Sequence, residues 1–429
     1  MPIPGNPGEI ERRTISKVRA HIIPFLFILY VVAFLDRVNV GFAALTMNKA
    51  LAIGSQQFGL LAGIFFLGYF FFEIPSNLLL HKLGARVWIA RILVSWGLVS
   101  ACTGLAQTAV HLYIVRFLLG IAEAGFFPGM ILYLTYWFRQ REQAQAVALF
   151  MAALPVSNVV GAPVSGLILD HVHWLGVASW RWLLVLEAIP AVVLGVATWF
   201  LLPNGPDDAR FLRADEKEWL DSELARESSR HEPVTAARAL ASGRVWHLAA
   251  VYFTMIVGLY VMTFWLPQVV KNLSAFYSNT TVGVLVMIPH AVGLAAMVLL
   301  SRHSDRTGER RYHVAIAASA AAIAFLAMGA AQSPFMSVTL LTVIACGIYS
   351  FLGPFWALPG EFLTGYAAAS GIALINSVGN LGGFVGPYAI GSLARWTGSV
   401  YWGLAFAGTS LLATAVLVLL VRPCSRFSS

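Results

Sequence analysis

The sequence predicts an all-α integral membrane protein with twelve transmembrane helices in two six-helix bundles. Two patterns indicate this: apolar runs of about 20 residues, each long enough to cross a bilayer as a helix, recur along the chain, and one long polar segment divides them six and six. Of the 429 residues, 59% are hydrophobic and 11% charged, with a mean hydropathy of +0.75. This composition excludes a soluble domain of this size.

The predicted spans are all helical, because lipid cannot satisfy the hydrogen-bonding groups of an exposed backbone. The first span contains Asp36 and Arg37 and lacks a small-residue cleavage pattern, so we interpret it as a retained helix rather than a signal peptide. The predicted limits are 22–45, 57–80, 87–108, 112–137, 143–168, 181–202, 246–270, 280–301, 312–331, 336–359, 366–393 and 399–421.

The polar segment 203–243 predicts a cytoplasmic linker with one amphipathic or solvated helix, between an N-terminal bundle (1–202) and a C-terminal bundle (244–429). A repeated loop supports this division: NLLLHKLGAR at 77–86 follows the second span, and SRHSDRTGER at 301–310 follows the eighth. A glycine in each copy permits a sharp turn. We assign a gating or loop role to Lys82, Gly84, Arg86, Asp305, Arg306 and Gly308.

Basic residues are distributed unevenly between the two sets of loops. Of 28 Lys and Arg residues, 21 lie in the set that includes both termini and the linker, and 4 lie in the opposite set. Because positive residues concentrate in cytoplasmic loops, we expect both termini in the cytoplasm. The same distribution accounts for the net charge of +8 without a nucleic-acid partner.

The sequence contains no motif for a metal, a cofactor or a nucleotide. Cys102, Cys346 and Cys424 lack metal-ligand spacing, and no Walker loop is present, so we expect no direct use of ATP. An integral membrane enzyme is disfavoured, because the chain has neither a His-rich metal cluster nor a membrane-protease motif. We therefore expect a protein that is not an enzyme and that has no cofactor.

Four charged residues interrupt the first and fourth spans. Arg116 and Glu123 lie seven residues apart in IVRFLLGIAEAGFFPGMILYLTYW (114–137), on one side of a helix, and Asp36 precedes Arg37 in the first span. A charge deep in a bilayer costs several kcal/mol, so it should face a partner or a hydrated cavity. Two interpretations stay open: a charged pathway, or ion pairs such as Arg116–Glu123 that only hold helices together.

Several longer motifs resemble those of the major facilitator superfamily, and in particular its anion:cation symporter branch. They are the loop SRHSDRTGER, Asp36-Arg37 with Asn39, FEIPSNLLL (72–80), RFLLGIAEAGFFPG (116–129), GPFWALPGEF (353–362) and GIALINSVGNLGGFVGP (371–387). The C-terminal motifs look most like those of tartrate and sugar-acid transporters. The chain departs from the loop motif at Asn77 and His81.

The resemblance implies roles for individual residues. It implies proton coupling by Asp36 and Glu123, and substrate or coupling contacts by Arg37 and Arg116. It implies further substrate contacts by Tyr69 and Asn376. A glutamine that sugar-acid relatives carry on the fifth span is Leu154 here, and Asn158, one turn later, is a partial substitute.

Other polar and aromatic residues lie at membrane depth. Tyr260 and Trp356 are candidate substrate contacts, with ordinary packing as the alternative. For Glu73 we favour a structural or gating role. For Glu187 we favour a role in helix packing. Among the histidines, only His290, in the middle of a span, is a candidate for a functional test.

Taken together, these residues predict a monomeric transporter in a bacterial inner membrane that imports a small organic anion with protons. A tartrate-like hydroxy acid or a sugar acid is the expected substrate. Arginine suits an anionic substrate, since it is always protonated and grips a carboxylate through two hydrogen bonds. A uniporter or exporter of such anions is the alternative.

Overall fold

The computed structural model describes residues 7–229, 241–361 and 365–421, and within these ranges the chain is helical without strands, as predicted. The α-helices are α1 (Pro7–Ala50), α2 (Ser55–Leu83), α3 (Ala85–Thr103), α4 (Ala109–Glu123), α5 (Phe126–Thr135), α6 (Gln140–Met151), α7 (Ala153–His171), α8 (Ser179–Leu201), α9 (Ala214–Ser229), α10 (Gly243–Lys271), α11 (Asn279–Thr307), α12 (Arg311–Ala327), α13 (Pro334–Ala357), α14 (Gly365–Asn380), α15 (Gly382–Thr397) and α16 (Tyr401–Leu419). Short 3₁₀ turns occur at Trp174–Gly176, Pro206–Asp208, Met328–Ala330 and Pro359–Glu361.

Eleven helical segments in the described ranges are long and apolar enough to cross a membrane, and they coincide with eleven of the predicted spans. The remaining predicted span, 366–393, is formed by α14 and α15, two helices of 16 residues each that meet at Leu381. Each alone is about 24 Å long at 1.5 Å per residue, shorter than the hydrocarbon core of a bilayer. The two helices therefore cross as one broken span.

The fourth span is broken as well, although the sequence predicted one helix. α4 ends at Glu123 and α5 begins at Phe126. Between them Gly125 has a φ of +82°, in the left-handed region that glycine adopts without steric cost. The hydroxyl of Ser76 donates a 2.6 Å hydrogen bond to the carbonyl of Ala124, which compensates for the interrupted helix. Glu123 consequently lies at a helix end within the membrane.

Helices α7 and α11 approach each other closely across the two halves of the chain. A Cβ at Gly166 would lie 2.4 Å from the carbonyl oxygen of Asn279, so only glycine permits this contact. Asp170, near the end of α7, accepts hydrogen bonds from the backbone nitrogens of Asn279 (3.2 Å) and Thr280 (2.7 Å) and from both of their side chains. This contact lies at the far end of the bundle, opposite the linker end, where residues 203–229 lie.

The linker contains the predicted helix, α9, while residues 230–240 lie outside the described ranges. At the linker end, Glu216 of α9 accepts hydrogen bonds from Arg13 (2.6 Å) and Lys17 (2.8 Å) of α1. Burial alone would raise the pKa of Glu216, but hydrogen bonds from the Arg213 backbone, Lys17 and Arg13 outweigh burial and hold its pKa below the ordinary value. The linker helix is thus attached to α1 by ionised groups.

Candidate functional site

An ion pair between Arg37 and Glu123 lies at the centre of the candidate site. Arg37 of α1 donates to Oε1 of Glu123 through Nε, at 2.8 Å, and through Nη2. Its Nη1 donates to the hydroxyl of Tyr260 on α10, at 3.0 Å. All three side chains are buried. One guanidinium therefore joins α1, α4 and α10, and it connects two helices before the linker with one after it.

Arg116, by contrast, is buried without a hydrogen-bonded carboxylate among the residues that the structure describes. Its side chain is 2% exposed, and its Nε and Nη2 atoms have no hydrogen-bond partner in the described ranges. The alternative that Arg116 pairs with Glu123 is wrong, because Glu123 is bound by Arg37. Seven residues of helix separate Arg116 and Glu123 by about 10 Å along the axis, so sharing one side does not bring their charged groups together.

Phe65 of α2 contacts both of these cations. The guanidinium carbons of Arg37 and Arg116 are each 5.3 Å from the centre of its ring, so the cations lie within twice that distance of each other. Arg37 also lies 4.9 Å from the ring centre of Phe34 and 5.5 Å from that of Tyr69, distances at which an aromatic face attracts a cation. Phe65 was not predicted, because an apolar span offers no signal that separates it from packing residues.

Tyr69 is predicted to contact substrate, and it lies beside the ion pair. Its side chain is buried, and its hydroxyl has no hydrogen-bond partner in the described part of the chain. A buried hydroxyl without a partner costs free energy. Tyr69 therefore has an unused hydroxyl close to Arg37.

Asp36 is hydrogen-bonded by neutral groups, although it precedes Arg37 in the sequence. Its carboxylate accepts hydrogen bonds from Nε1 of Trp96, from the Ser100 hydroxyl at 3.0 Å and from the Asn39 amide at 3.2 Å. No ion pair to Asp36 occurs among the described residues. Successive residues of a helix point about 100° apart, so Asp36 faces α3 while Arg37 faces α4. Trp96 and Ser100 were missed by the sequence analysis.

Glu73 connects α2 with α14. It accepts a 2.8 Å hydrogen bond from the Asn376 amide and another from the Ser377 hydroxyl, and all three side chains are buried. The structure thus brings together a residue predicted to act in gating and one predicted to bind substrate. Ser377 was missed, because a serine beside an asparagine is common in small-residue helices.

Asn158, Tyr349 and His290 form a second buried contact between the two halves of the chain. The amide nitrogen of Asn158 donates to the Tyr349 hydroxyl at 3.4 Å, and that hydroxyl lies 2.7 Å from Nδ1 of His290. The Oδ1 atom of Asn158 is buried and has no partner in the described ranges. These residues lie on α7, α13 and α11 respectively.

Trp356 is half-buried on α13 and packs among aromatic rings. Its ring is 5.0 Å from that of Tyr252 and 6.2 Å from that of Phe127, and its Nε1 has no partner in the described part of the chain. Glu187, predicted to have a packing role, accepts a 2.7 Å hydrogen bond from Ser165.

The repeated loops both lie at the linker end. Gly84 and Gly308 have φ values of +84° and +67°, as their predicted turn role requires. Arg86 pairs with Asp208 at 2.9 Å, and Asp305 pairs with Arg310 at 2.6 Å. The two remaining loop residues are exposed; they are Lys82 and Arg306. In the described ranges, no group of three or more His, Cys, Asp or Glu side chains is arranged to hold a metal ion.

Comparison with known proteins places the chain in a family. The model of the Major Facilitator Superfamily matches residues 26–387. A protein of Agrobacterium vitis named "Putative tartrate transporter" is 47% identical over 422 residues, which cover 97% of this chain and 93% of that protein. A protein of Acinetobacter baumannii named "Quinolone resistance transporter" is 39% identical over 416 residues, which cover 96% of each.

Solved structures agree on the fold. The crystal structure of a D-xylose–proton symporter matches with a TM-score of 0.75 at 15% identity, over 94% of this chain and 98% of that one. The match to the family model and the curated relatives confirm the resemblance predicted from the sequence. The chain belongs to the Major Facilitator Superfamily and is a multi-pass membrane transporter, not an enzyme.

Proposed function

We propose that the protein is a proton-coupled symporter of a small organic anion, a tartrate-like hydroxy acid or a sugar acid, which works by alternating access. The observation that carries this proposal is the Arg37–Glu123 ion pair beside Arg116, whose Nε and Nη2 atoms have no hydrogen-bond partner in the described part of the chain. When Glu123 takes up a proton, Arg37 loses its anionic partner. Two neighbouring guanidinium groups then need an anion, and a substrate carboxylate supplies it.

The energetics of buried charge couple the two events. Removing one partner of a buried ion pair costs about 3–5 kcal/mol, because the other charge is left uncompensated. Protonation of Glu123 without an anion leaves Arg37 unpaired, and entry of an anion without a proton adds a negative charge beside Glu123. Each event therefore favours the other, and the linkage is reciprocal. At about 1.4 kcal/mol per factor of ten, the coupling amounts to roughly two to three and a half decades in affinity.

Asp36 is the second proposed proton site. Its three hydrogen-bond donors are neutral, so no cation forms a hydrogen bond with it among the described residues. A buried carboxylate without a cation is costly when it is ionised. We propose that Asp36 exchanges its proton as the bundle changes conformation and the water around α1 and α3 changes.

The names of relatives support the substrate class. The Agrobacterium vitis relative at 47% identity is named for tartrate, which carries two carboxylates and two hydroxyl groups. Two arginines suit the carboxylates, and uncharged polar side chains suit the hydroxyl groups. We propose that Tyr69, Asn158, Tyr260, Trp356 and Asn376 complete the substrate contacts around Arg37 and Arg116.

The remaining assignments follow from the sequence patterns and the bacterial relatives. We propose a monomer in a bacterial inner membrane with both termini in the cytoplasm, because positive residues concentrate at the linker end. We also propose the division into bundles 1–202 and 244–429 around the linker. Glu73 and the repeated loops then act in gating between them.

Uptake by purified protein in liposomes tests the proposal. An inward proton gradient is combined with labelled tartrate, galactonate, glucarate, phthalate and a neutral sugar. We expect accumulation of one acid that collapses with a protonophore and in Asp36→Asn or Glu123→Gln. Gradient-driven accumulation of the neutral sugar, or full accumulation by Glu123→Gln, contradicts the proposal.

Export is a second candidate function, because one relative at 39% identity is named for quinolone resistance. An exporter exchanges protons for substrate, so an inward proton gradient would expel the substrate from the liposome. Counterflow with and without the gradient distinguishes the two directions. A uniporter shows the same counterflow under both conditions.

A further inference from the structure

The hydrogen bonds among Asn158, Tyr349 and His290 have a definite direction. The amide nitrogen of Asn158 is only a donor, so the oxygen of Tyr349 accepts there. The Tyr349 hydroxyl proton then needs an acceptor, and Nδ1 of His290 at 2.7 Å provides it. We therefore assign the proton of His290 to Nε2, the tautomer that satisfies both bonds.

This direction leaves two unused groups of opposite kind. At one end, Oδ1 of Asn158 is a buried acceptor without a partner. At the other end, Nε2 of His290 is a donor that bonds to no group in the described ranges. The three side chains are buried, and none of them forms an ion pair among the described residues. The group that binds here is consequently polar and uncharged.

The three residues lie near the depth of the Arg37–Glu123 pair. Asn158 is three residues before Gly161, and a Cβ at Gly161 would lie 2.4 Å from the side chain of Leu35. Leu35 immediately precedes Asp36 and Arg37. A ligand that extends from the arginines across the bundle at this depth would meet Asn158, while Tyr349 and His290 belong to the opposite half of the chain.

We infer that Asn158, Tyr349 and His290 form a hydroxyl-recognition row, in which His290 and Tyr349 determine specificity for hydroxylated acids. Alcohol groups both donate and accept, so one hydroxyl of a polyhydroxy acid can donate to Oδ1 of Asn158 and another can accept from Nε2–H of His290. A carboxylate only accepts, and a methylene group does neither, so both leave a buried polar atom unsatisfied. This inference rests on the proposed function and specifies its substrate class.

Equilibrium binding to the purified full chain tests the inference separately from transport. The probes are two series of acids matched in carbon skeleton: tartrate, malate and succinate, and galactonate with hexanoate. We expect each hydroxylated acid to bind at least about tenfold more tightly than its counterpart without hydroxyl groups, a factor that corresponds to one or two hydrogen bonds.

Tyr349→Phe keeps the ring and removes the hydroxyl. We expect it to reduce that ratio by about five- to tenfold, while succinate or hexanoate binding changes by no more than about twofold. His290→Gln keeps a hydrogen-bond donor. It should therefore retain more of the preference for hydroxylated acids than His290→Leu does. Tyr133→Phe is the matched control: it also removes a buried hydroxyl, which donates to the Pro203 carbonyl at 2.7 Å near the linker end.

Equal losses for both members of a pair would mean that the row only supports the fold, and would overturn the inference. A wild-type protein that binds no hydroxylated acid more tightly than its counterpart would overturn it as well. The proposed function fails on a different result, since loss of proton-driven uptake leaves the ratio of binding constants untouched.

Discussion

Glu123 forms its ion pair with Arg37 of α1 and not with Arg116, which lies on its own helix. Arg37 is therefore compensated in this conformation, while Arg116 is buried without a hydrogen-bonded carboxylate among the described residues. The two arginines share the ring of Phe65 but differ in electrostatic state. That difference leads to opposite expectations for their replacement.

Replacing Arg37 should destabilise the protein, because Glu123 loses its cation. We expect Arg37→Met to lower the free energy of unfolding by about 3–5 kcal/mol, the cost of orphaning a buried charge. Thermal unfolding in detergent measures it. Adding Glu123→Gln to Arg37→Met should recover most of the loss, and the absence of any recovery would contradict the pairing.

Replacing Arg116 should stabilise the empty protein or leave it unchanged, because the change removes a buried cation that has no hydrogen-bonded carboxylate among the described residues, and methionine keeps its volume. We expect Arg116→Met to lose anion binding while its unfolding temperature equals or exceeds that of the wild type. This combination is typical of a residue retained for function at the expense of stability. A drop in unfolding temperature as large as that of Arg37→Met would refute the distinction.

Asp170 should hold the far end of the bundle closed. It accepts four hydrogen bonds from Asn279 and Thr280 at the start of α11, two of them from backbone nitrogens of a helix N-terminus. We expect Asp170→Ala to increase the labelling rate of Ala162→Cys, which is buried where α7 meets α11, in a background without the native cysteines. Glu218→Ala, at an exposed position of α9, is the control, and equal labelling in both variants would exclude this role.

The linker helix should detach from α1 in acid. The pKa of Glu216 is lowered in the folded protein, so its contribution to stability is present above the ordinary glutamate pKa. That contribution is lost as pH falls through the lowered value. The distance between spin labels on α1 and α9 should therefore increase when the pH falls below the ordinary glutamate pKa. Glu216→Gln should remove this transition, while Glu218→Gln should keep it. A separation that is independent of Glu216 would contradict this account.

The sequence was sufficient for the fold class and for most of the polar residues at membrane depth. Arg37, Glu123 and Tyr260 are charged or polar groups in apolar runs. Because burying such groups is costly, their positions in the sequence identified them as candidate functional residues. The sequence did not identify the residues with which they pair. Whether Glu123 meets Arg116 or Arg37 depends on which helices pack together, and periodicity within one helix does not encode that choice.

Helix breaks and uncharged partners were the other omissions. The helix break at Gly125 requires a positive φ. Many glycines in membrane helices have an ordinary helical φ, so the presence of a glycine in the sequence does not by itself predict a break. Trp96 and Phe65 resemble lipid-facing or core residues in an apolar span. Only the packing of α3 and α2 against α1 shows that one donates to Asp36 and that the other contacts both arginines.

The pH dependence of anion affinity tests the central claim most directly. Equilibrium binding of the acid that the uptake panel identifies is measured from mildly acidic to mildly alkaline pH, in the wild type and in Glu123→Gln. Linkage to one proton on Glu123 predicts that wild-type affinity falls by up to about tenfold per pH unit as Glu123 ionises, and that Glu123→Gln loses this dependence. A Glu123→Gln protein whose affinity keeps the wild-type pH dependence would show that anion binding is not linked to this carboxylate.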